Sequence, residues 1–222
     1  MKHYLFDFDG TLCDTKRGIL NGIEYMFNEL DVKIKLTPEE MEPLFIGPPL
    51  NEALSPYFPG DESDLHLAIK TFRDYYNKTG VLENELYPGI KDMLCTLKER
   101  NVSLYIVSSK PDCFIKIILE MHGISDLFKG IYSPGLKEGS LTKFDLITSA
   151  LTEIKEKDSD PLVLMIGDRK YDIDGAHEAG LSGVGVLWGA AADGELQKHK
   201  AEYIVASTTE FLDLDLNLQE QQ

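Results

Sequence analysis

Two acidic residues lie one position apart near the start of the chain. Asp7 and Asp9 occur in the segment YLFDFDGTL, where an apolar run of strand character ends at Gly10. An Asp-Gly pair after such a run is typical of a tight turn, so the segment alone fits a plain turn as well as a site. Two carboxylates this close repel each other unless a cation or a bound proton neutralises them. The pair is therefore a candidate for metal-assisted or acid–base chemistry.

Polar side chains also follow three later strand-like runs. Ser108 and Ser109 follow the second run in SSKP, lysines follow the third, and Asp168 and Asp172 follow the fourth in GDRKYD. Ligands of an open parallel sheet bind at the carboxyl ends of its strands, so these loops are expected to converge. Taken singly, SSKP, with Pro111 as the first helical residue, and GDRKYD also fit turns that begin a helix.

The four aspartates of these loops would form an all-oxygen cluster at one edge of the sheet. Such a cluster must either retain protons or bind a cation, and a few carboxylates without His or Cys suit Mg²⁺. A calcium-binding loop starting at Asp7 is excluded, because its sixth residue is Leu12 rather than Gly and its twelfth is Gly18 rather than Glu. The sequence therefore predicts a Mg²⁺ site.

Two lysines compete for one role in the third loop, SPGLKEGSLTKFD. Lys143 follows Thr142, which matches a capping box with Asp145 and would place the ammonium at the start of a helix. Lys137 lies in the looser part of the loop. A nucleophilic carboxylate, a second carboxylate, a divalent cation, a hydroxyl and a lysine are together what phosphoryl transfer through an aspartyl phosphate requires.

The elements that must position these residues follow from the apolar pattern. Strand-length apolar runs alternate with amphipathic helical patterns, and several runs lack internal alternation, which is typical of parallel strands covered on both faces. This pattern predicts an α/β fold with a doubly wound parallel sheet. Strands are predicted at 4–6, 102–107, 130–133, 162–166, 184–188 and 203–205.

One long stretch lacks strand patterns. Residues 16–82 carry helical patterns only, and LTPEEM within them predicts a helix start with Thr37 as cap, Pro38 as first helical residue and Glu40 completing a capping box. We expect an inserted all-helical domain at 16–82, and a catalytic core formed by residues 1–15 and 83–222.

Composition excludes several classes of partner. The 222 residues include 22 basic and 38 acidic side chains, a net charge of -16 that disfavours nucleic acid. No apolar run approaches the roughly 18 residues of a membrane span. Cys13, Cys95 and Cys113 are an odd number without metal-site spacing. We expect a cytoplasmic monomer or homodimer that acts on a small phosphorylated metabolite and binds neither nucleic acid nor membrane.

The motifs resemble those of the haloacid dehalogenase superfamily of phosphohydrolases. DFDGT matches its first motif, VSS its second, the lysine region its third and IGDRKYD its fourth. The resemblance spans nearly the whole chain and implies a Rossmann-like core with a helical cap, most similar to phosphoglycolate phosphatases and a bacterial 5′-nucleotidase-like group. Phe144 follows Lys143 where proline is common in the superfamily, which leaves Lys137 open as the third-motif lysine.

The resemblance also implies a role for each motif residue. Asp7 would be the nucleophile and Asp9 the general acid and base, while Ser108 and Lys143 would hold the phosphoryl group. The implied Mg²⁺ ligands are Asp7, the backbone carbonyl of Asp9, Asp168 and Asp172. Further implied contacts to substrate or phosphate are Phe8, Gly10, Thr11 and Ser109 in the core, and Gly47 and Arg73 in the cap.

Three functions compete on this sequence. The first is a Mg²⁺-dependent, phosphoglycolate phosphatase-like enzyme that hydrolyses a small phosphate monoester through an aspartyl phosphate, with a 5′-nucleotidase as alternative. A β-phosphoglucomutase-type mutase would use the same residues and differ in how well a closed cap excludes water. A signalling phosphoacceptor without turnover is disfavoured by Asp9 and the inserted helices. The segment DIDGA (172–176) imitates the first motif but follows no strand, so Asp174 is expected to be an exposed helix residue.

Overall fold

The computed structural model describes residues 1–136 and 141–218, and a parallel β-sheet lies at its centre. Six of the strands in this part of the chain form the sheet, in the order β5-β4-β1-β6-β7-β8, and each neighbouring pair is parallel. The remaining two, β2 and β3, pair antiparallel in a separate ladder. The strands are β1 (Lys2–Phe6), β2 (Cys13–Asp14), β3 (Glu85–Leu86), β4 (Ser103–Val107), β5 (Phe128–Tyr132), β6 (Leu162–Gly167), β7 (Ser182–Val186) and β8 (Tyr203–Val205).

Helices precede and follow the sheet strands along the chain. The helices are α1 (Lys16–Glu29), α2 (Pro38–Phe45), α3 (Leu50–Leu54), α4 (Glu62–Lys78), α5 (Ile90–Glu99), α6 (Asp112–His122), α7 (Lys143–Lys157), α8 (Lys170–Glu178), α9 (Glu195–Lys198) and α10 (Thr208–Asn217). Short 3-10 turns occur at Ser55–Tyr57, Gly80–Leu82 and Ser125–Leu127. Within the described ranges, no helix combines the length and apolar character needed to cross a bilayer.

The sheet buries apolar side chains on both faces, which confirms the predicted α/β fold. Tyr4 and Phe6 of β1 belong to one buried cluster, whereas Leu5 between them belongs to a second. The strand order reverses at β1, because β4 and β5 extend to one side and β6 to β8 to the other. Such a reversal opens a crevice at the carboxyl ends of the central strands, where the predicted site residues lie.

The predicted strands are present, but some of their ends differ. The strand predicted at 184–188 runs from Ser182 to Val186, and the one predicted at 130–133 runs from Phe128 to Tyr132. Gly183 is paired in β7 although it has no side chain to extend the apolar pattern. Backbone pairing and apolar pattern therefore diverge at such positions.

Residues 16–82 contain α1 to α4 and no strand, as the sequence predicts. α1 packs closely on α4, because a Cβ added at Gly22 would lie 2.8 Å from Cε2 of Phe72. The predicted capping box of α2 is present: Thr37 Oγ1 accepts from the Glu40 N–H, and Glu40 Oε2 accepts from the Thr37 N–H. We call residues 16–82 the helical segment; its division from the core as a separate cap domain stays a prediction.

Candidate active site

Asp7 and Asp9 follow β1 and face different partners. The Asp7 N–H donates to the Ile166 carbonyl at 2.8 Å, so Asp7 still lies beside β6. The chain then turns at Gly10, whose φ of 83° is in the left-handed region. Lys143 lies 3.0 Å from an Asp7 oxygen, and Lys110 lies 3.0 Å from an Asp9 oxygen. Each carboxylate therefore has its own ammonium group, which offsets the repulsion expected from their spacing.

Three buried carboxylates meet at the carboxyl end of the central strands. Asp7, Asp168 and Asp172 each offer an oxygen, and these oxygens lie within 4.8 Å of one another. Asp168 is held from two sides, since its Oδ1 accepts from the Thr11 hydroxyl at 3.0 Å and its Oδ2 from the Ala190 N–H at 2.7 Å. Asp172 is the third residue of α8 and accepts from the Arg169 N–H at 3.1 Å.

Burial and mutual repulsion raise the pKa of Asp168 and of Asp172. Burial, followed by the charges of Asp172 and Asp7, raises the pKa of Asp168 to about 8. Burial also raises the pKa of Asp172 to about 6, although Lys143 acts in the opposite direction. A cluster in which a carboxyl group retains its proton near neutral pH gains stability when a cation replaces that proton.

The residues present fit a divalent cation. Asp7 Oδ1 and Asp172 Oδ1 are buried and, among the described residues, accept no hydrogen bond of good geometry, although Lys143 is at ion-pair distance from both. One ammonium group does not neutralise three carboxylates, and a set of oxygen donors suits Mg²⁺. The side chain of Asp9 is not part of this group. The role of Asp9 as a metal ligand through its backbone carbonyl stays a prediction.

Lys143 is the first residue of α7, where the predicted capping box is present between Thr142 and Asp145. Its Nζ lies 2.8 Å from Asp172 Oδ1 and donates to the Val107 carbonyl at 3.2 Å. Burial opposes its charge, but the carboxylates of Asp172 and Asp7 outweigh burial and raise the pKa of Lys143 above its ordinary value. The competing Lys137 lies outside the described residues.

The loop after β4 carries Ser108 and Ser109, and both line the cavity at the carboxyl ends of the strands that also includes Asp7 and Lys143. Ser108 is buried, and its Oγ accepts from the Lys110 N–H at 3.3 Å. Pro111 is the N-cap of α6 rather than the predicted first helical residue, because its ψ of 133° is extended and α6 begins at Asp112. The loop thus stays extended for one residue more than the prediction.

Lys110 connects Asp9 with the helical segment. Its Nζ donates to Asp9 Oδ1 at 3.0 Å, to Asp9 Oδ2 at 3.2 Å and to the hydroxyl oxygen of Tyr76 in α4 at 2.7 Å. The Thr15 hydroxyl donates to Asp9 Oδ1 at 2.6 Å. Burial opposes the charge of Lys110, but Asp9 and Tyr76 outweigh burial and raise its pKa above the ordinary value.

A cavity of about 350 Å³ lies between the core and the helical segment. Its walls include Asp7, Asp9, Ser108, Ser109 and Lys143 from the core, and Gly47 and Arg73 from the helical segment. Gly47 has a φ of 102°, and a Cβ there would lie 2.8 Å from Arg169 Nη1. Arg73 Nη1 donates to the Leu136 carbonyl at 3.2 Å. The structure therefore brings both predicted cap residues to the site, and their contact with substrate stays a prediction.

Three residues implied as phosphate contacts lie behind the site instead of lining the cavity. Phe8 is fully buried in the core, Thr11 donates its hydroxyl to Asp168, and Gly10 lies against the Asp168 carboxylate. The side chains of Phe8 and Thr11 and the backbone of Gly10 support the site, so any contact of the three residues with phosphate would use their backbone. Asp174 is an exposed residue of α8 paired with His199, as predicted for the imitating motif.

Two residues of the site region have no role assigned from the sequence. Lys110 follows the second strand run in SSKP, but no signal there links it to Tyr76. Arg169 is buried, donates to the Ile46 carbonyl of the helical segment at 2.6 Å and pairs with Glu195 at 3.0 Å. A basic residue directly after a motif aspartate is the signal available in GDRKYD, but its burial and its partners depend on the fold.

Comparisons with known proteins show what this chain is similar to. The sequence model of the haloacid dehalogenase-like hydrolase family matches residues 4–186. The chain is 33% identical over 207 residues to a 5′-nucleotidase of Pseudomonas aeruginosa, covering 91% of this chain and 90% of that one. It is 27% identical over 236 residues to a phosphoglycolate phosphatase of Vibrio vulnificus, covering 97% and 96%. A crystal structure of a predicted phosphatase from Clostridium acetobutylicum superposes with a TM-score of 0.88 at 35% identity, covering 97% and 98%.

Proposed function

Because this chain belongs to the haloacid dehalogenase-like hydrolase family and is a phosphatase of that family, we propose that it hydrolyses a small phosphate monoester through an aspartyl phosphate with the help of Mg²⁺. One observation carries the proposal. Asp7 lies at a buried carboxylate cluster beside Lys143, whereas Asp9 is held away from that cluster by Lys110 and Thr15. Two adjacent acids are thus separated into two environments, as nucleophilic and proton-transfer roles require.

The first half of the reaction transfers the phosphoryl group to Asp7. An oxygen of Asp7 attacks phosphorus, and the bond between phosphorus and the ester oxygen breaks. Asp9 donates its proton to that leaving oxygen, which departs as an alcohol. In the second half, Asp9 takes a proton from water as the water oxygen attacks phosphorus, and the bond between phosphorus and the Asp7 oxygen breaks. This step releases inorganic phosphate, restores the Asp7 carboxylate and leaves Asp9 protonated for the next cycle.

The remaining residues bind and orient the phosphoryl group. Lys143 places a positive charge beside Asp7. Ser108 directly follows β4 and lines the cavity. Asp7, Asp168 and Asp172, with the backbone carbonyl of Asp9, would hold Mg²⁺, which when bound neutralises charge on the phosphoryl oxygens. Positioning and charge neutralisation are the main sources of rate enhancement in such reactions.

The cavity favours a substrate with a flat or apolar body over phosphoglycolate. Phe45, Leu50, Phe72 and Tyr76 of the helical segment and Phe114 of α6 line it. A volume of about 350 Å³ falls within the range of small-molecule pockets, and aromatic walls gain most from an aromatic ligand. The two-carbon body of phosphoglycolate offers no such surface. A nucleoside 5′-monophosphate does, and one relative is named a 5′-nucleotidase.

The cytoplasmic location and the monomeric or homodimeric state stay predictions.

A phosphate-release assay tests this function on AMP, 2-phosphoglycolate and glucose 1-phosphate. We expect AMP to give the highest kcat/KM, and we expect chelation of divalent cations or Asp7→Asn to abolish turnover, because each removes a partner of the phosphoryl group. Rapid acid quenching of the wild type with AMP labelled in its phosphate should trap the labelled phosphoryl group on Asp7. Full activity of Asp7→Asn would contradict the mechanism. Conversion of glucose 1-phosphate to the 6-phosphate with little free phosphate would indicate a mutase.

A further inference from the structure

Lys110 makes contacts that phosphate binding alone does not explain. Its side chain is 5% exposed, and its Nζ contacts both oxygens of Asp9 and the hydroxyl of Tyr76. The Lys110 backbone is fixed as well, because its N–H donates to Ser108 Oγ at 3.3 Å and its carbonyl accepts from the Ser133 hydroxyl at 2.7 Å. The ammonium group therefore reaches Asp9 from a loop whose backbone is held by two hydrogen bonds.

The contacts to Asp9 are unequal between its two oxygens. Oδ1 accepts from Thr15 at 2.6 Å and from Lys110 at 3.0 Å, whereas Oδ2 accepts within the described residues only from Lys110, at 3.2 Å. Two donors on Oδ1 fix the rotation of the carboxyl group and leave Oδ2 as the less engaged oxygen. Oδ2 is thus the oxygen with capacity for a further contact, such as the leaving oxygen of a substrate.

Tyr76 reaches Lys110 from the helical segment. The Tyr76 side chain is buried, stacks on Phe72 of α4 with ring centroids 5.4 Å apart, and meets Phe114 of α6 edge-on at 5.1 Å. Its hydroxyl oxygen accepts from Lys110 at 2.7 Å. This contact places Lys110 between the core and the helical segment.

We propose that Lys110 is a positioning residue, which holds the Asp9 carboxyl group so that Oδ2 faces the leaving oxygen of the substrate, and that Tyr76 holds Lys110 in turn. The inference rests on the proposed function, because it needs Asp9 as the proton donor. It predicts that Lys110 acts on catalysis through Asp9 and not through the phosphoryl group.

A double-mutant cycle with two leaving groups tests this. The variants Asp9→Asn, Lys110→Met, their combination and Tyr76→Phe are assayed for kcat/KM, which reports the first phosphoryl transfer, with an alkyl ester and with p-nitrophenyl phosphate. The alkyl ester is AMP, or 2-phosphoglycolate if AMP is not turned over. Because p-nitrophenolate leaves without a proton, a defect in proton donation should affect the alkyl ester selectively.

We expect Lys110→Met to lower kcat/KM on the alkyl ester by about 100-fold and on p-nitrophenyl phosphate by less than about 10-fold, within the range of acid–base catalysis. In the Asp9→Asn background, Lys110→Met should change kcat/KM by no more than about 2-fold, because residues acting through one another are not additive. Tyr76→Phe, which removes only the hydroxyl, should show the same selectivity at about 5-fold. Lys116→Met on α6, an exposed lysine paired with Asp112, is the matched control and should match wild type.

Equal losses on both esters that add to those of Asp9→Asn would overturn the inference, since Lys110 would then act on the phosphoryl group itself. If Asp9→Asn shows no selectivity, the proton-donor role in the proposed function fails, and the inference fails with it. If Asp9→Asn is selective and Lys110→Met is not, only the inference fails. Circular dichroism checks folding, and Tyr76→Phe decides the question should Lys110→Met not fold.

Discussion

At the scale of single residues, two glycines let the chain pass close to Asp168. A Cβ added at Gly10 would lie 2.2 Å from Asp168 Oδ2, and one added at Gly189 would lie 2.3 Å from Asp168 Cβ and 2.4 Å from the Gly10 carbonyl oxygen. Gly10 also has a positive φ, whereas Gly189 is not among the positive-φ glycines. The requirement at Gly189 is therefore one of space alone.

Gly189→Ala should displace Asp168 and disturb the carboxylate cluster. Misplacement of about 1 Å at a site can cost roughly 100-fold in rate, so we expect kcat/KM to fall by about that factor and the Mg²⁺ concentration for half-maximal activity to rise. Steady-state assays over a Mg²⁺ titration measure both. Gly60→Ala is the control, because its Cβ would lie 3.4 Å from the Asp64 carboxylate and far from any tight contact. Wild-type values for Gly189→Ala would contradict this account.

At the scale of elements, the start of α7 places Lys143. Thr142 Oγ1 accepts from the Asp145 N–H at 3.2 Å, and Asp145 Oδ2 accepts from the Thr142 N–H at 2.8 Å. α8 leaves room for the lysine stem, since a Cβ at Gly175 would lie 3.0 Å from Cβ and Cγ of Lys143. The capping box thus fixes the first turn from which the ammonium group reaches Asp7 and Asp172.

Thr142→Ala should separate stability from activity when compared with Thr37→Ala. Both variants remove the cap of a matching box, and each should lower the free energy of unfolding by about 1 kcal/mol. Only Thr142→Ala frees the turn that carries Lys143, so we expect its kcat/KM to fall by about 10-fold, a difference worth roughly 1.4 kcal/mol. Urea denaturation and steady-state assays give the two quantities. Similar activity losses in both variants would refute a specific role of the α7 cap.

The sequence predicted hydrogen-bond motifs within one helical turn better than contacts between residues far apart in the chain. Both capping boxes were predicted, because each involves residues three positions apart and depends only on hydrogen bonds within one turn. The contact of Lys110 with Tyr76 spans 34 positions and that of Arg169 with Ile46 spans 123. Such contacts depend on how the helical segment packs on the core, which apolar periodicity does not specify.

At the scale of the whole molecule, a buried charge cluster ties α10 to the sheet. Asp215 of α10 is paired with Lys2 of β1, accepts from the Tyr4 hydroxyl at 2.7 Å and pairs with Arg100 at 2.8 Å. Burial opposes the charge of Asp215, but the hydrogen bonds from Lys2, Arg100 and Tyr4 outweigh burial and lower its pKa below the ordinary value. The chain's last described helix is thus joined to the first strand.

The lowered pKa gives a pH dependence of stability with a definite sign. A carboxyl group whose pKa is lower in the folded state stabilises that state above its unfolded pKa, near 3.9, and the stabilisation is lost as the pH falls through the folded pKa. At pH 7 we expect Asp215→Asn to lower the free energy of unfolding by about 3 kcal/mol, because it leaves buried Lys2 unpaired. Urea denaturation should show the difference shrinking below about pH 4. A difference that stays constant with pH would contradict the assignment.

The convergence of the four loops was also predictable, since it follows from parallel strands whose apolar runs are visible in the sequence. The turn at Gly10 that separates Asp7 from Asp9 was predictable from the Asp-Gly pair. The sequence did not predict their different partners, Lys143 from α7 and Lys110 from the loop after β4, which arise from strand order.

The short β2–β3 ladder has a consequence for how this enzyme can diversify. Cys13 pairs with Leu86 and Asp14 with Glu85, so the chain leaves and re-enters the core at neighbouring positions. The helical segment, residues 16–82, therefore begins and ends beside this ladder and contributes no strand to the six-stranded sheet. Insertions, deletions or exchange of helices in the helical segment leave the strand order untouched. Apart from Tyr76, which contacts Lys110, the walls that select a substrate can consequently change while the strand ends that carry the aspartates keep their order.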